Sequence, residues 1–224
     1  MIEVVTVYTP RPNHEKFMDY TPLLLCQKKT VEKFGHRHVV VSDQPYPDLN
    51  VLQADLSFPL MVSILKGQIA YLEQWTGDHP VVLADVDCLI GRSLNEAFGD
   101  FDIGLTNRDN PKAPINNGAM YIGPGNKKGV LAFFNKALSL CKNHWGGDQE
   151  AIAQAAAPVP IGHNTQMRTI DGVNVYIAFM SMARLNVVPR LPGIRHMSNP
   201  FVIHFKGTDR KAWMLQYANA FILR

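Results

Sequence analysis

Apolar positions along the 224-residue chain change period repeatedly, and the changes mark its elements. Ile2–Tyr8 is a β-branched run that stops at Thr9-Pro10-Arg11-Pro12, the pattern of a buried strand entering a loop. Between Phe17 and Phe34, Leu23, Leu24, Cys26 and Val31 recur at helical spacing with lysines on the other face, which predicts an amphipathic helix. His38–Val41 reads as a second apolar strand ended by Ser42-Asp43, and a loop holding Pro45, Pro47 and Pro59 follows. Met61, Ile64, Leu65, Ile69 and Leu72 predict a helix over Leu60–Trp75, ended by Gly77-Asp78. Pro80–Ala84 is then a fully apolar strand running straight into Asp85-Val86-Asp87.

Further strands are predicted at Phe101–Thr106 and Ala119–Ile122, and a helix at Asn126–Lys142. Gly146-Gly147 breaks the chain before Asp148, which reads as the cap of a short helix through Ala157. Val173–Ala178, Leu185–Val188 and Phe201–Phe205 read as strands, with a last helix from about Lys211. Alternation of strand and helix in the first half favours a parallel sheet, whereas short strands and irregular loops mix in the second. With no repeat, low-complexity stretch or linker, the expected organisation is one α/β domain with a mixed central sheet flanked by helices.

Composition changes this picture little. Apolar residues make up 46% of the chain and charged ones 18%, so an ordinary core is affordable and disorder is excluded. A formal charge of +3 is too small to argue for nucleic acid, although a mild basic excess suits a protein that grips a diphosphate. Cys26, Cys88 and Cys141 lie far apart without CxxC spacing and read as free thiols of a reducing compartment. The amino terminus, MIEVVTVYTP, has no basic region or small-residue cleavage site, and no apolar run approaches the ~20 residues of a membrane span. A soluble, cytoplasmic protein is expected.

Four segments carry candidate chemistry. Asp85 and Asp87, two residues apart after an apolar strand, can converge on one hard cation through oxygen ligands. Such pairs are common on solvated loops, but two like charges at the end of a core strand are costly unless a cation neutralises them. Asn116-Asn117-Gly118 reads either as a turn opening into a strand or as amides that hydrogen-bond sugar hydroxyls. Gly146-Gly147-Asp148-Gln149 is a helix start, or an acid held beside a reacting sugar. In Val202–Gly207, His204 supplies an imidazole for a metal, Lys206 an ammonium for phosphate, and Gly207 close backbone approach; a histidine at a strand end can equally be a core residue.

Together VVLADVDCLI (81–90), INNGAMYI (115–122), GGDQEAI (146–152) and VIHFKG (202–207) resemble the GT-A-type glycosyltransferases, particularly the retaining, glycogenin- and galactosyltransferase-like group. The segments come in that group's order, and the match spans roughly Ile2 to Trp213. The resemblance implies a nucleotide-binding half (1–106), a sugar- and acceptor-binding half (107–224), and a nucleoside-diphosphate sugar donor, with a UDP-sugar expected. Asp85, Asp87 and His204 would bind Mn²⁺ or Mg²⁺, Asp85 and Val86 would touch the donor, and Val7, Tyr8 and Thr9 would meet the base. Lys66 would lie near the donor, Asn116, Asn117 and Gly118 would line the sugar pocket, and Lys206 and Gly207 would hold the β-phosphate. Asp148 and Gln149 would stand beside the transferred sugar as the catalytic pair. One departure is that the family's Lys-Pro-Trp appears here as Lys211-Ala212-Trp213.

Two other functions share parts of this pattern: a sugar-nucleotide nucleotidyltransferase, and an inactive nucleotide- or carbohydrate-binding protein. The first usually carries a Gly-rich basic loop where this chain has Thr9-Pro10-Arg11-Pro12. The acceptor is open: a glycan, a lipid-linked sugar, a protein or a modified DNA base. Its candidate loops are Gln44–Asn50, Asn107–Pro114 and Ile161–Arg168, and Arg108, Lys112, Arg168, Arg190 and Arg195 form either a basic rim for a phosphate-bearing acceptor or scattered surface charge.

Overall fold

The computed structural model describes residues 1–10, 19–108, 110–160, 162–189 and 199–224, with the side chains of Thr208 and Asp209 left aside. The first half alternates as the apolar pattern predicts: β1 (Glu3–Val7), α1 (Thr21–Lys33), β2 (Arg37–Ser42), β3 (Val51–Gln53), α2 (Leu60–Gln74) and β4 (Val81–Ala84). β5 (Cys88–Ile90), β6 (Ile103–Asn107) and β7 (Ile115–Ile122) follow, then α3 (Lys127–Leu140) and α4 (Gly147–Ala155). The chain continues through β8 (Asn164–Ile170), β9 (Val173–Ser181), the single turn α5 (Met182–Leu185), β10 (Val202–His204) and α6 (Thr208–Tyr217).

Eight strands form one mixed sheet in the order β3-β2-β1-β4-β7-β6-β9-β8. β1, β2, β3 and β4 run parallel, β7 is antiparallel to both β4 and β6, and β9 is parallel to β6. β5 and β10 pair separately as an antiparallel ribbon, Cys88 opposite His204. β1 separates β2 from β4, so strand order reverses beside β4, and in such sheets ligands collect outside the carboxyl ends at the reversal. Asp85 begins directly after β4.

α2 and α3 cover one face of the sheet, with Leu65, Ile69, Leu72, Val130, Phe133 and Phe134 packed against Val5, Leu83, Met120 and Ile122. On the other face, Phe101, Phe201 and Val202 pack against Val4, Val82, Ala119 and Tyr121. Burying this apolar area is the main stabilising term, and it holds β4 and β7 rigidly side by side. Among the described residues no helix is long and apolar enough to cross a membrane.

The structure corrects four local expectations. Asn116-Asn117-Gly118 is no turn: β7 runs from Ile115, so these residues lie in a strand between β4 and β6. Leu185–Val188 is not a strand; α5 ends at Leu185 and only a bridge from Val187 to Ile203 joins the sheet region. Asp148 does not cap α4, because the left-handed Gly146 precedes the helix and Asp148 lies inside its first turn. β3 and β8 form where a loop and no element had been predicted. The start of the Phe17 helix, Arg11, Pro12, Arg190 and Arg195 lie outside the described residues.

Candidate active site

The turn after β4 is set by backbone bonds. Asp85 N–H donates to the Gly118 carbonyl of β7 at 2.9 Å, and Cys88 N–H donates to the Asp85 carbonyl at 3.1 Å. Phe205 N–H donates to the Asp87 carbonyl at 2.8 Å, so the segment after β10 is tied to the same turn. Gln27 of α1, fully buried, fastens it from below by donating its amide Nε2 to the Asp85 carbonyl at 2.9 Å. Gln27 Oε1 accepts from Thr6 Oγ1 at 2.9 Å and meets His38 Nε2 at 3.0 Å. That oxygen can only accept, so His38 carries its proton on Nε2.

His204 Nε2 lies 3.2 Å from Asp87 Oδ1 and 3.6 Å from Asp85 Oδ2. Its ring covers Gly118, where a Cβ would overlap the imidazole, so glycine is required there for His204 to reach the two acids. His204 Nδ1 has no partner among the described residues, which leaves the Nε2 contacts and the Gly118 face to hold the ring. Lys211 Nζ sits 3.3 Å from Asp87 Oδ2 and 3.3 Å from the Tyr20 hydroxyl.

These neighbours separate the acids. Burial among protein atoms raises the Asp85 carboxyl; His204 opposes the rise, and the charges of Asp87 and Asp148 add to it. The Asp85 side chain keeps 39% of its surface open to water, which tempers the effect. Burial acts on Asp87 in the same direction, but His204 and Lys211 outweigh it and hold that carboxyl below the usual range. Asp148, also buried, is raised by desolvation against the pull of Asn117, the nearby backbone amides and Lys206.

Asp148 joins the cluster through β7: Asn117 Nδ2 donates to its Oδ2 at 2.6 Å. Asn116, 1% exposed, faces another way; its Oδ1 accepts from Arg108 Nη2 at 3.0 Å, while its carbonyl accepts from Thr106 and Asn186. Gln149 is half-buried beside Asp148. Lys206 is half-buried, and desolvation, then the like charge of Arg108, lowers its ammonium against the pull of Asp85, Asp87 and Asp148. Gly207, at φ 91°, turns the chain from this cluster into α6.

The other expected positions are placed less centrally. Val86 packs against the cluster of Tyr8, Leu24 and Val40, so Tyr8 and the Asp85–Asp87 turn share a wall. Thr9 Oγ1 donates to Asp43 at 3.1 Å, and Val7 packs on Gly67. Lys66 is not brought to the carboxylates: its ammonium stands 3.2 Å from the centre of the Phe58 ring, in the field of Asp55. Arg168 is turned onto the carbonyls of Ala156 and Pro158, so it serves its own loop. Gln27, Lys211 and Arg108 are the contributors that motif spacing did not assign to the donor site. A glutamine on the buried face of α1, among Leu23, Leu24, Cys26, Thr30 and Val31, was the local sign of the first.

Two carboxylates and an imidazole facing one another form a donor set suited to a divalent ion of the Mn²⁺ or Mg²⁺ kind. Asp87, Cys88 and His204 also have ligand atoms within 4.8 Å of one another. Cys88 contributes poorly, since its Sγ donates to the Gly118 carbonyl at 3.1 Å and burial drives its thiol well above the ordinary range. Asp85, 3.6 Å from the same imidazole, offers a hard oxygen in place of that thiol.

No protein-family model matches the sequence, and no curated protein matches it. Solved structures do. A glycosyltransferase involved in the glycosylation of the major capsid of PBCV-1 aligns over 97% of this chain and 98% of its own, with a TM-score of 0.63 at 14% identity. The glycosyltransferase GlyE of Streptococcus pneumoniae TIGR4 aligns over 97% of this chain at TM-score 0.63 and 13% identity, and the chain spans 61% of its length. The galactosyltransferase LgtC, in complex with donor and acceptor sugar analogs, aligns over 98% of this chain and 96% of its own at TM-score 0.53 and 14% identity. At these identities the shared property is the fold, and the chain has the mixed α/β fold of GT-A-type glycosyltransferases.

Proposed function

We propose that this chain, on its GT-A-type fold, is a metal-dependent glycosyltransferase that moves a sugar from a nucleoside-diphosphate sugar, a UDP-sugar in the first instance, to an acceptor hydroxyl. The observation that carries the proposal is the meeting of Asp85, Asp87 and His204 at the carboxyl end of β4, with Asp148 held beside them through Asn117.

Asp85, Asp87 and His204 are the residues that would hold Mn²⁺ or Mg²⁺. Such an ion supplies charge neutralisation to a departing diphosphate. Lys206, with Gly207 allowing close backbone approach, adds a cation for the β-phosphate. His204 and then Lys211 favour the ionised form of Asp87, and Lys211 helps to fix its position. Val7, Tyr8 and Thr9, at the end of the neighbouring β1, would receive the nucleotide base.

The bond that breaks joins the anomeric carbon to the β-phosphate oxygen, and that carbon then carries positive charge. Asp148, restrained by Asn117, offers a fixed carboxylate to that charge, and Gln149 stands next to it. We assign retention: the acceptor hydroxyl attacks from the face the leaving group vacates, its oxygen forms the new bond, and its proton passes to the departing phosphate. A carboxylate tethered by an amide suits a stabilising role better than that of a mobile base.

The test is to incubate the full chain with a panel of nucleotide sugars and Mn²⁺ or Mg²⁺ and to follow free nucleoside diphosphate. Release supports the proposal. Release of pyrophosphate instead would make the chain a nucleotidyltransferase, and tight donor binding without turnover would make it an inert binding module.

A further inference from the structure

A recess of about 430 Å³ borders the candidate active site, within the roughly 300–1,000 Å³ typical of small-molecule sites. Among the described residues it is lined by Met182, Ala183, Val187, Val188, Pro189 and Arg210, none of which belongs to the donor site. Three contacts join its walls to the carboxylate cluster. The Val187 carbonyl accepts His204 N–H at 2.8 Å, and Arg210 Nη1 donates to the Lys206 carbonyl at 2.8 Å. Met182 Sδ lies 3.9 Å from Nδ2 of Asn116, the residue directly before the Asn117 that holds Asp148.

The lining combines two kinds of chemistry. All of it is apolar except Arg210, and Met182, Val187 and Val188 are only half-buried, so part of this apolar surface meets water until a ligand covers it. Arg210, also half-buried, is the one charge. Its Nη1 bond to Lys206 fixes the guanidinium, whereas Nε is buried without a hydrogen-bond partner. Nη2 makes no hydrogen bond among the described residues, and none of their ion pairs includes Arg210. A guanidinium anchored through one nitrogen and short of acceptors on the others suits a carboxylate, to which its hydrogen bonds are charge-assisted. One cation balances one negative charge, which fits a carboxylate better than a phosphate monoester at about −1.5 to −2.

We propose that this recess binds the part of the acceptor that is not glycosylated: an apolar group bearing one carboxylate, with the apolar part on Met182, Val187 and Val188 and the acid on Arg210. The proposal rests on the transferase function and adds the acceptor's chemical class. Because Val187 and Met182 contact His204 and Asn116, a molecule seated in the recess borders the residues that would hold the metal and the transferred sugar.

The experiment titrates phenylbutyrate, phenylbutanol and acetate into the full chain by calorimetry, with and without saturating UDP and Mn²⁺. The wild type is compared with Arg210→Gln, Arg210→Lys and Val188→Asn after thermal melting confirms that each is folded. Phenylbutyrate should bind about tenfold more tightly than phenylbutanol, with acetate weakest. Arg210→Gln should weaken phenylbutyrate about tenfold and leave phenylbutanol within about twofold, and Arg210→Lys should recover part of the loss. Val188→Asn should weaken both aromatic probes alike, by about threefold or more. UDP binding should change less than about twofold throughout. Absence of saturable phenylbutyrate binding would overturn the proposal, as would phenylbutanol or acetate binding as tightly as phenylbutyrate. Phenylbutyrate affinity that survives Arg210→Gln or Val188→Asn would overturn it as well, and an equal loss of UDP binding would move Arg210 to the donor. Nucleoside diphosphate release from the nucleotide-sugar panel on the same samples separates the two claims. Release by a protein that does not bind phenylbutyrate sinks the recess proposal alone. Phenylbutyrate binding that depends on Arg210, without release from any nucleotide sugar, sinks the transferase function alone.

Discussion

The two ends of the central sheet both bury carboxylates, yet they treat them differently. At the amino end, Glu3 of β1 accepts from Arg37 at 2.8 Å and from the Tyr71 hydroxyl, with His79 Nε2 at 3.5 Å. One acid meets three partners. At the carboxyl end, Asp85, Asp87 and Asp148 share His204, Lys211, Asn117 and the more distant Lys206, and the acids raise one another's cost of ionisation. A recess does not distinguish the ends, since one of about 300 Å³ lies beside Glu3. The balance of charge does: one network is closed, and under the proposed function the other would be completed by a divalent cation and a diphosphate.

This contrast is open to attack from both ends. The largest effect is expected from Asp148→Asn, which should cut turnover about a hundredfold while donor affinity stays within a few fold. Equal loss of both in steady-state kinetics would reduce Asp148 to a binding residue. At the closed end, Glu3→Ala should lower stability by about 2 kcal/mol, because Tyr71 and Arg37 lose a buried acceptor, with turnover per folded molecule unchanged. Denaturant unfolding and activity on one preparation decide it.

His38 gives a pH signature near the middle. Burial first, and then the Lys28 charge, depress its imidazole to about 3, and its proton is fixed toward Gln27. The unfolded chain takes up a proton below about pH 6.5 while the native protein does not, so stability is complete above that pH and declines as pH falls toward 3. The loss between pH 7 and pH 5 should be about 2 kcal/mol, at 1.36 kcal/mol per unit of pKa difference, and His38→Gln should flatten that slope in denaturant unfolding. The smallest effect on turnover is expected from Gln27→Met, which frees the Asp85 carbonyl from its tether: turnover per folded molecule should drop about tenfold or less through misplacement of the Asp85–Asp87 turn, and the melting temperature should fall as well, because Thr6 and His38 lose their buried acceptor.

Much of the fold was legible because burial on both faces writes itself as continuous apolar runs, as in Val81–Ala84, or as β-branched ones, as in Glu3–Val7. β8 was not, since Asn164–Ile170 is an edge strand with most side chains exposed, and its sequence alternates little. β3 is three residues long inside a proline-rich stretch. Asn116–Gly118 misled because Asn-Gly favours turns, whereas here Arg108 and Asp148 satisfy the two amides within a strand. Asp85, Asp87, Asp148 and His204 stood out as ionisable residues at element ends. Lys211 stood out only within Lys211-Ala212-Trp213, Arg108 only as a rim charge and Gln27 not at all, because their roles depend on partners 124, 8 and 58 positions away in sequence that only the fold brings near.

The central claim is that the carboxyl end of β4 is built to bind a metal and a nucleoside diphosphate. Calorimetric titration of UDP into wild-type protein and into Asp87→Ala, each with and without Mn²⁺, tests it most directly. The account predicts that Mn²⁺ strengthens UDP binding in the wild type by about tenfold or more and that Asp87→Ala loses this gain. UDP affinity that is indifferent to Mn²⁺ in the wild type, or a gain that survives Asp87→Ala, would contradict it.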